Sequence, residues 1–170
     1  SAGFSFAILS KLKELMDELQ NRLDPHFSQK LGGNNQKNSG VNFDVLDMLM
    51  KWSFQKKKWI KHGVSLRLLA YNQDDRTARI AITLTFSKRE FLDRIENSKT
   101  VQRKISLLKE KGWKFDEELD VGKKSLYKDF TLKSGKGEKI LDYYRKKIQL
   151  SIDQLLQSDV RFIKLLENRM

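Results

Sequence analysis

Residues 76–86, RTARIAITLTF, alternate without a break, so that Ala78, Ile80, Ile82, Leu84 and Phe86 fall on one side of an extended chain and Arg79, Ala81, Thr83 and Thr85 on the other. A helix would scatter these residues around its axis. Just before them VSLRLLAYN (64–72) is rich in strand formers, and the QDD between the two runs suits a turn. The pair predicts an antiparallel hairpin with one face in a core and the other wet, which already commits the chain to a sheet that something else must cover.

The flanking segments supply the cover. Phe4, Ile8, Leu12, Leu15, Leu19 and Leu23 recur at spacings of three and four, predicting an amphipathic helix over 4–23 that Pro25 ends. SQKLGGNNQKNSG (28–40) has almost nothing to bury and reads as a mobile loop. Val45, Leu46, Leu49 and Met50 suit a short helix within 41–52. After the hairpin, SKRE (87–90) has the form of a capping box, Ser87 accepting from the backbone at Glu90, and opens a helix to about Lys111, where Gly112 stops it. NSKT (97–100) is poor helix material and suggests a kink. WKFDEELD (113–120) and SLYKDFTLK (125–133) read as a second hairpin around VGKK. A last helix carries Ile140, Leu141, Tyr144, Ile148, Ile152, Leu155, Leu156, Phe162, Ile163 and Leu166, with a break near Ser158 and Asp159. The expected fold is α+β: an antiparallel sheet of two hairpins, in the order ββαββα, packed by helices and preceded by N-terminal helices.

At 170 residues, with 39% hydrophobic and 33% charged side chains and one proline, the chain suits one folded domain spanning 1–170. The start at Ser1 suggests a cleaved tag or a fragment of a longer protein. No cysteine is present, which removes disulfides, thiolate catalysis and Cys-ligated zinc and fits a reducing cytoplasm. Neither a signal peptide nor a membrane span is legible.

The net charge of +12 is unevenly spread. KWSFQKKKWIKHG (51–63) holds five lysines and no carboxylate, and 64–112 holds eleven basic against six acidic residues. Such a concentration suits a polyanion, because each phosphate neutralised by Lys or Arg releases counterions. In this reading Lys51, Lys56, Lys57, Lys58 and Lys61 contact phosphates, with Trp59 or His62 stacking on a base. Arg67, Arg76 and Arg79, on or beside the first hairpin, extend the surface as a basic sheet face. Trp52, after an apolar run, and Trp113, after the Gly112 stop, are expected to be buried, and Trp59 exposed among lysines. The competing reading makes Trp52 and Phe54 core residues and the lysines a wet loop.

No catalytic or metal-binding residue is assigned, and no cofactor. A restriction-type nuclease would show Glu-x-Lys on a strand, and the chain has none. Asp116, Glu117, Glu118 and Asp120 could meet a hard cation, but strand-edge solubility explains them. His26 and His62 are too far apart in sequence to suggest a ligand pair. KSGKGEK (133–139) lacks the spacing of a phosphate loop and reads as a helix cap.

The run WSF…HGVSLRLLAYNQDDRTARIAITL, followed by a helix with spaced lysines, GWKFDEELDVGKKS and a closing helix, resembles a domain of unknown function at the C-terminal end of some bacterial restriction-endonuclease-like proteins. The resemblance covers about 52–165, and QKKKWIKHG stands where that family has a glycine-rich loop. It implies a DNA-associated accessory or recognition module in a restriction or defence setting, without chemistry of its own. The expected function is thus non-catalytic nucleic-acid binding, DNA being the favoured partner, in the cytoplasm and without a membrane. The alternative is a homodimer or partner-protein module using the stripe within 140–166, and a metal-dependent nuclease is the least supported.

Overall fold

The computed structural model describes residues 13–14, 17–18, 28–33, 47–72, 78–117, 122–132, 138–156 and 161–170. Among the described residues six strands make one antiparallel sheet: β1 (Ser28–Gly33), β2 (Asp47–Gln55), β3 (Val64–Asn72), β4 (Ala78–Phe86), β5 (Lys114–Glu117) and β6 (Lys124–Leu132), in the spatial order β1-β2-β3-β4-β6-β5. The helices that accompany it there are α1 (Lys57–Lys61), α2 (Arg89–Glu96), α3 (Lys99–Glu110), α4 (Glu138–Leu156) and α5 (Phe162–Arg169). The chain is α+β. Lys13, Glu14, Asp17 and Glu18 are helical as well, and the rest of the helix expected over 4–23 lies outside the described residues.

The β3–β4 hairpin has the core face that its alternation predicts, while the face expected to be wet is largely buried as well. Ile80, Ile82, Leu84 and Phe86 are buried, and register sets Leu68 against Ile82, Leu66 against Leu84 and Val64 against Phe86. β2 adds Trp52 opposite Leu68 and Phe54 opposite Leu66, and β6 adds Leu126 opposite Leu84. This face joins one core with Phe91, Leu92 and Ile95 of α2, Val101, Ile105 and Leu108 of α3, Ile148, Ile152 and Leu155 of α4, and Phe162, Ile163 and Leu166 of α5. The helices therefore cover one side of the sheet. Ile148, Ile152, Leu155, Phe162, Ile163 and Leu166 of the C-terminal apolar stripe are thus buried in this chain's own core.

Several expectations are corrected. Within 41–52 the described part is strand, not helix: Trp52 and Phe54 alternate with Ser53 and Gln55, and β3 gives that period-two pattern a partner. Within 28–40, Ser28–Gly33 is strand β1, paired along its length with β2 from Ser28–Gln55 to Gly33–Met50. An edge strand is held by ladder hydrogen bonds from its neighbour, so poverty in apolar residues does not forbid it. Residues 34–40 lie outside the described residues. The sheet is larger than two hairpins, and β4 adjoins β6 instead of β5, so the ββαββα order describes only part of it.

The helix expected over 87–111 is two. α2 ends at Glu96, and Ser98 caps α3 by accepting from the Val101 amide at 3.3 Å; the kink expected in NSKT is thus a complete break. Ser87 caps nothing. Lys88 holds the N-cap position of α2 without a side-chain bond, and the Ser87 hydroxyl donates to the Gly63 carbonyl at 3.0 Å. The stop at Gly112 has its physical form in a left-handed residue (φ +94°), with Trp113 N donating to Leu108 O at 3.1 Å and Gly112 N to Lys109 O at 3.0 Å, the paired bonds of a Schellman motif. Among the described residues no helix is long and apolar enough to cross a membrane.

Candidate nucleic-acid interface

The lysine-rich stretch does not form one surface. Lys51–Gln55 finishes β2, in which Trp52 is fully buried and Phe54 nearly so. Lys56 is also buried, and its ammonium reaches the Glu167 carboxylate on α5 at 2.7 Å. The chain then turns through α1, whose Trp59 is fully buried, contrary to the expectation of an exposed stacking residue. The physical reason is that α1 crosses the end of the β2–β3 pair on the helix-covered side. There its middle residue completes the core between sheet and helices, and the indole, the largest side chain available, fills the site. Trp113 is buried, as expected.

What remains of the stretch is a rim. Lys57, Lys58 and Lys61 are exposed, and no carboxylate lies within ion-pair distance of them among the described residues. Lys58 and Lys61 sit in the last turn of α1, where the helix dipole favours cations. Lys58 Nζ donates to the Glu167 carbonyl at 3.4 Å. His62 is half-buried; its Nδ1 donates to the Lys58 carbonyl at 2.9 Å, and its ring meets Phe91 edge-on at 5.4 Å. Because a carbonyl only accepts, this bond places the proton on Nδ1 and leaves Nε2 available.

Gly63 joins this rim to α2. Its left-handed backbone (φ +69°) follows α1, and its carbonyl accepts from both the amide of Ser87, at 2.8 Å, and the hydroxyl. A Cβ there would stand 2.6 Å from Lys88 Cγ, so only glycine allows so close an approach. The approach brings Lys88 Nζ to the Lys61 carbonyl, at 2.7 Å. Between α1, the start of α2 and the end of α5 lies a cavity of about 330 Å³ lined by Lys61, His62, Lys88, Arg94, Glu90 and Met170, with Phe91 beside His62. Its one acidic side chain, Glu90, is engaged by Arg94 at 3.1 Å. Such an arrangement attracts oxyanions, phosphate above all. Lys88 and Arg94 were legible as basic residues, but only the Gly63–Ser87 contact sets them beside Lys61.

The arginines lie elsewhere. Arg67 and Arg79 share the sheet face opposite the helices, Arg67 between Ser53 and Thr83 in the cross-strand row and Arg79 opposite Tyr71. Arg79 forms an ion pair with Asp129 at 2.9 Å. Arg67 is half-buried, and its Nε has no hydrogen-bond partner. The face is drier than alternation alone implies: Ser53, Thr83, Thr85 and Ser125 are buried, with Thr85 and Ser125 hydroxyls 3.0 Å apart. Short side chains between long cross-strand neighbours such as Arg67 and Tyr127 lose their access to water. Arg76 lies outside the described residues, and of Lys51 only the backbone is described, opposite Leu69 and Gly32. The sheet thus separates the α1 lysines from the arginines with which the sequence grouped them.

Among the described residues no three histidines or carboxylates gather as a metal site would need; Asp116 accepts from the Tyr127 hydroxyl at 3.1 Å. No family model, curated protein or solved structure matches the chain.

Proposed function

We propose that the chain is a nucleic-acid-binding domain without catalytic activity of its own, with DNA the favoured partner, and that it holds phosphates at the end of the molecule built from α1 and the start of α2. One observation carries the reading: Lys57, Lys58 and Lys61, on a helix anchored by the buried Trp59, are exposed without carboxylate partners among the described residues, and Lys61 and Lys88 line the adjoining cavity. Paired cations elsewhere on the surface, such as Arg89 with Asp93 and Glu96, have already lost most of their attraction for phosphate. The α1 lysines keep theirs.

Lys56 and Trp59, both buried, are not part of this interface, and Lys88 joins it. As an extension of this proposal, the chain serves as an accessory DNA-recognition module in a bacterial restriction or defence system in the cytoplasm, which is what the resemblance of about 52–165 implies.

A titration against duplex and single-stranded DNA at several salt concentrations tests the proposal. Each phosphate contact adds about 0.9 to the slope of log K against log salt on duplex DNA. The variant Lys57→Ala/Lys58→Ala/Lys61→Ala is expected to bind every sequence more weakly and to flatten that slope by up to about three. A wild-type protein that binds neither form at low salt, or a triple variant with the wild-type slope, overturns the assignment.

A further inference from the structure

We propose that Ile60 is an apolar wedge that enters between stacked bases, so that the partner of this end of the molecule is duplex DNA that is bent or locally unstacked. The inference rests on the nucleic-acid reading and goes beyond it by naming the form of DNA.

Ile60 is 55% exposed. It lies three residues after Lys57, on the same side of α1, and the exposed Lys61 follows it in the sequence. Its neighbour Trp59 is fully buried, and the preceding Lys56 is tied to Glu167, so the tip stands on a fixed base. A wedge needs these three things: a small apolar tip, a rigid mount, and cations to hold the phosphates on either side of the opened step. Leu150, also 53% exposed, lies on the flank of the 19-residue α4 instead of on a short connection between strands.

An anionic membrane would also attract lysines, but one isoleucine cannot anchor there. Even a whole myristoyl chain gives an association constant of only about 10⁴ M⁻¹. An opened base step has room for little more than one such side chain, so a single residue suffices.

The test uses two duplexes identical except for one central mismatch, with 2-aminopurine beside it, at several salt concentrations. A mismatch lowers the cost of unstacking, so the wild-type protein is expected to prefer the mismatched duplex by about tenfold and to raise its 2-aminopurine fluorescence. Ile60→Ala is expected to bind both duplexes alike with the wild-type salt slope, Ile60→Leu to keep the preference, and Leu150→Ala to change nothing. An unchanged melting temperature for Ile60→Ala shows that the fold is intact. Salt-dependent binding without a mismatch preference, or a preference that Ile60→Ala retains, overturns the wedge and leaves the nucleic-acid reading standing. Failure to bind either duplex overturns both, and capture by phosphatidylserine vesicles in that case assigns α1 to a membrane surface.

Discussion

Lys56 and Glu167, 111 positions apart in the sequence, form an ion pair of 2.7 Å that ties the end of β2 to α5. Lys56 is 7% exposed at its side chain and Glu167 26%, so the ammonium is the partner that water cannot rescue. Breaking a fully buried pair costs about 3–5 kcal/mol, and partial exposure of the carboxylate places Glu167→Gln toward the lower end of that range or below it. Denaturant unfolding of Glu167→Gln checks this. Lys56→Ala is expected to destabilise the fold and to leave the salt slope of DNA binding unchanged; a flatter slope would return Lys56 to the interface.

Trp59→Ala is expected to cost about 3–5 kcal/mol of stability, the usual range for emptying a large aromatic site in a core. The loss of DNA binding in such a variant would follow from unfolding and not from a missing stacking contact. Thermal unfolding monitored by circular dichroism distinguishes the two; a melting temperature equal to that of the wild type contradicts the burial of this side chain.

Ser98 and Ser87 should separate cleanly. Ser98→Ala removes the cap of α3 and is expected to cost about 1 kcal/mol, with faster hydrogen exchange at the Val101 amide. Ser87→Ala leaves the first turn of α2 as it is, because the lost bond is the one to Gly63; its effect of about 0.5–1.5 kcal/mol is expected to loosen the contact between α1 and α2. Accelerated exchange at the Glu90 amide in Ser87→Ala would instead restore the capping box.

Lys128 gives a pH dependence. Burial holds its ammonium below the ordinary lysine value of 10.5, and the charge of Lys147 acts in the same direction. Its Nζ donates to the Lys111 carbonyl at 2.9 Å and the Gln154 side chain at 3.3 Å. The folded chain releases this proton at lower pH than the unfolded chain. In the window just below 10.5 the unfolded state therefore binds more protons, and the contribution of Lys128 to stability rises with pH. Lys147→Gln is expected to move the Lys128 titration upward, read from the Cε and Nζ chemical shifts. A Lys128 midpoint no lower than those of exposed lysines contradicts the assignment.

The β3–β4 hairpin, its buried face, the interruption at Asn97–Ser98, the stop at Gly112 and the burial of Trp52 and Trp113 were all legible from residue order. Each depends on a short-range rule: side chains alternate along a strand, Asn and Ser are poor helix formers, and glycine accepts a left-handed turn; the serine-cap rule, applied to Ser87, failed because that hydroxyl is drawn to Gly63. The concentration of lysine in 51–63 was equally plain, because composition needs no fold. Which of those lysines faces water was not. Lys57–Lys61 is one turn and a half of helix, too short for a periodic pattern to declare its inner side, and Trp59 and Lys56 are buried by elements far along the chain. The same limit applies to Ser28–Gly33, which is a strand because β2 pairs with it, and to the cavity, which exists because Gly63 lets Ser87 and Lys88 approach α1. The sequence by itself determined the local conformations and the amount of charge. The tertiary structure decided which charges and aromatics were consumed as core and which remained for a partner, because burial is a property of contacts between segments and no single segment contains its own neighbours.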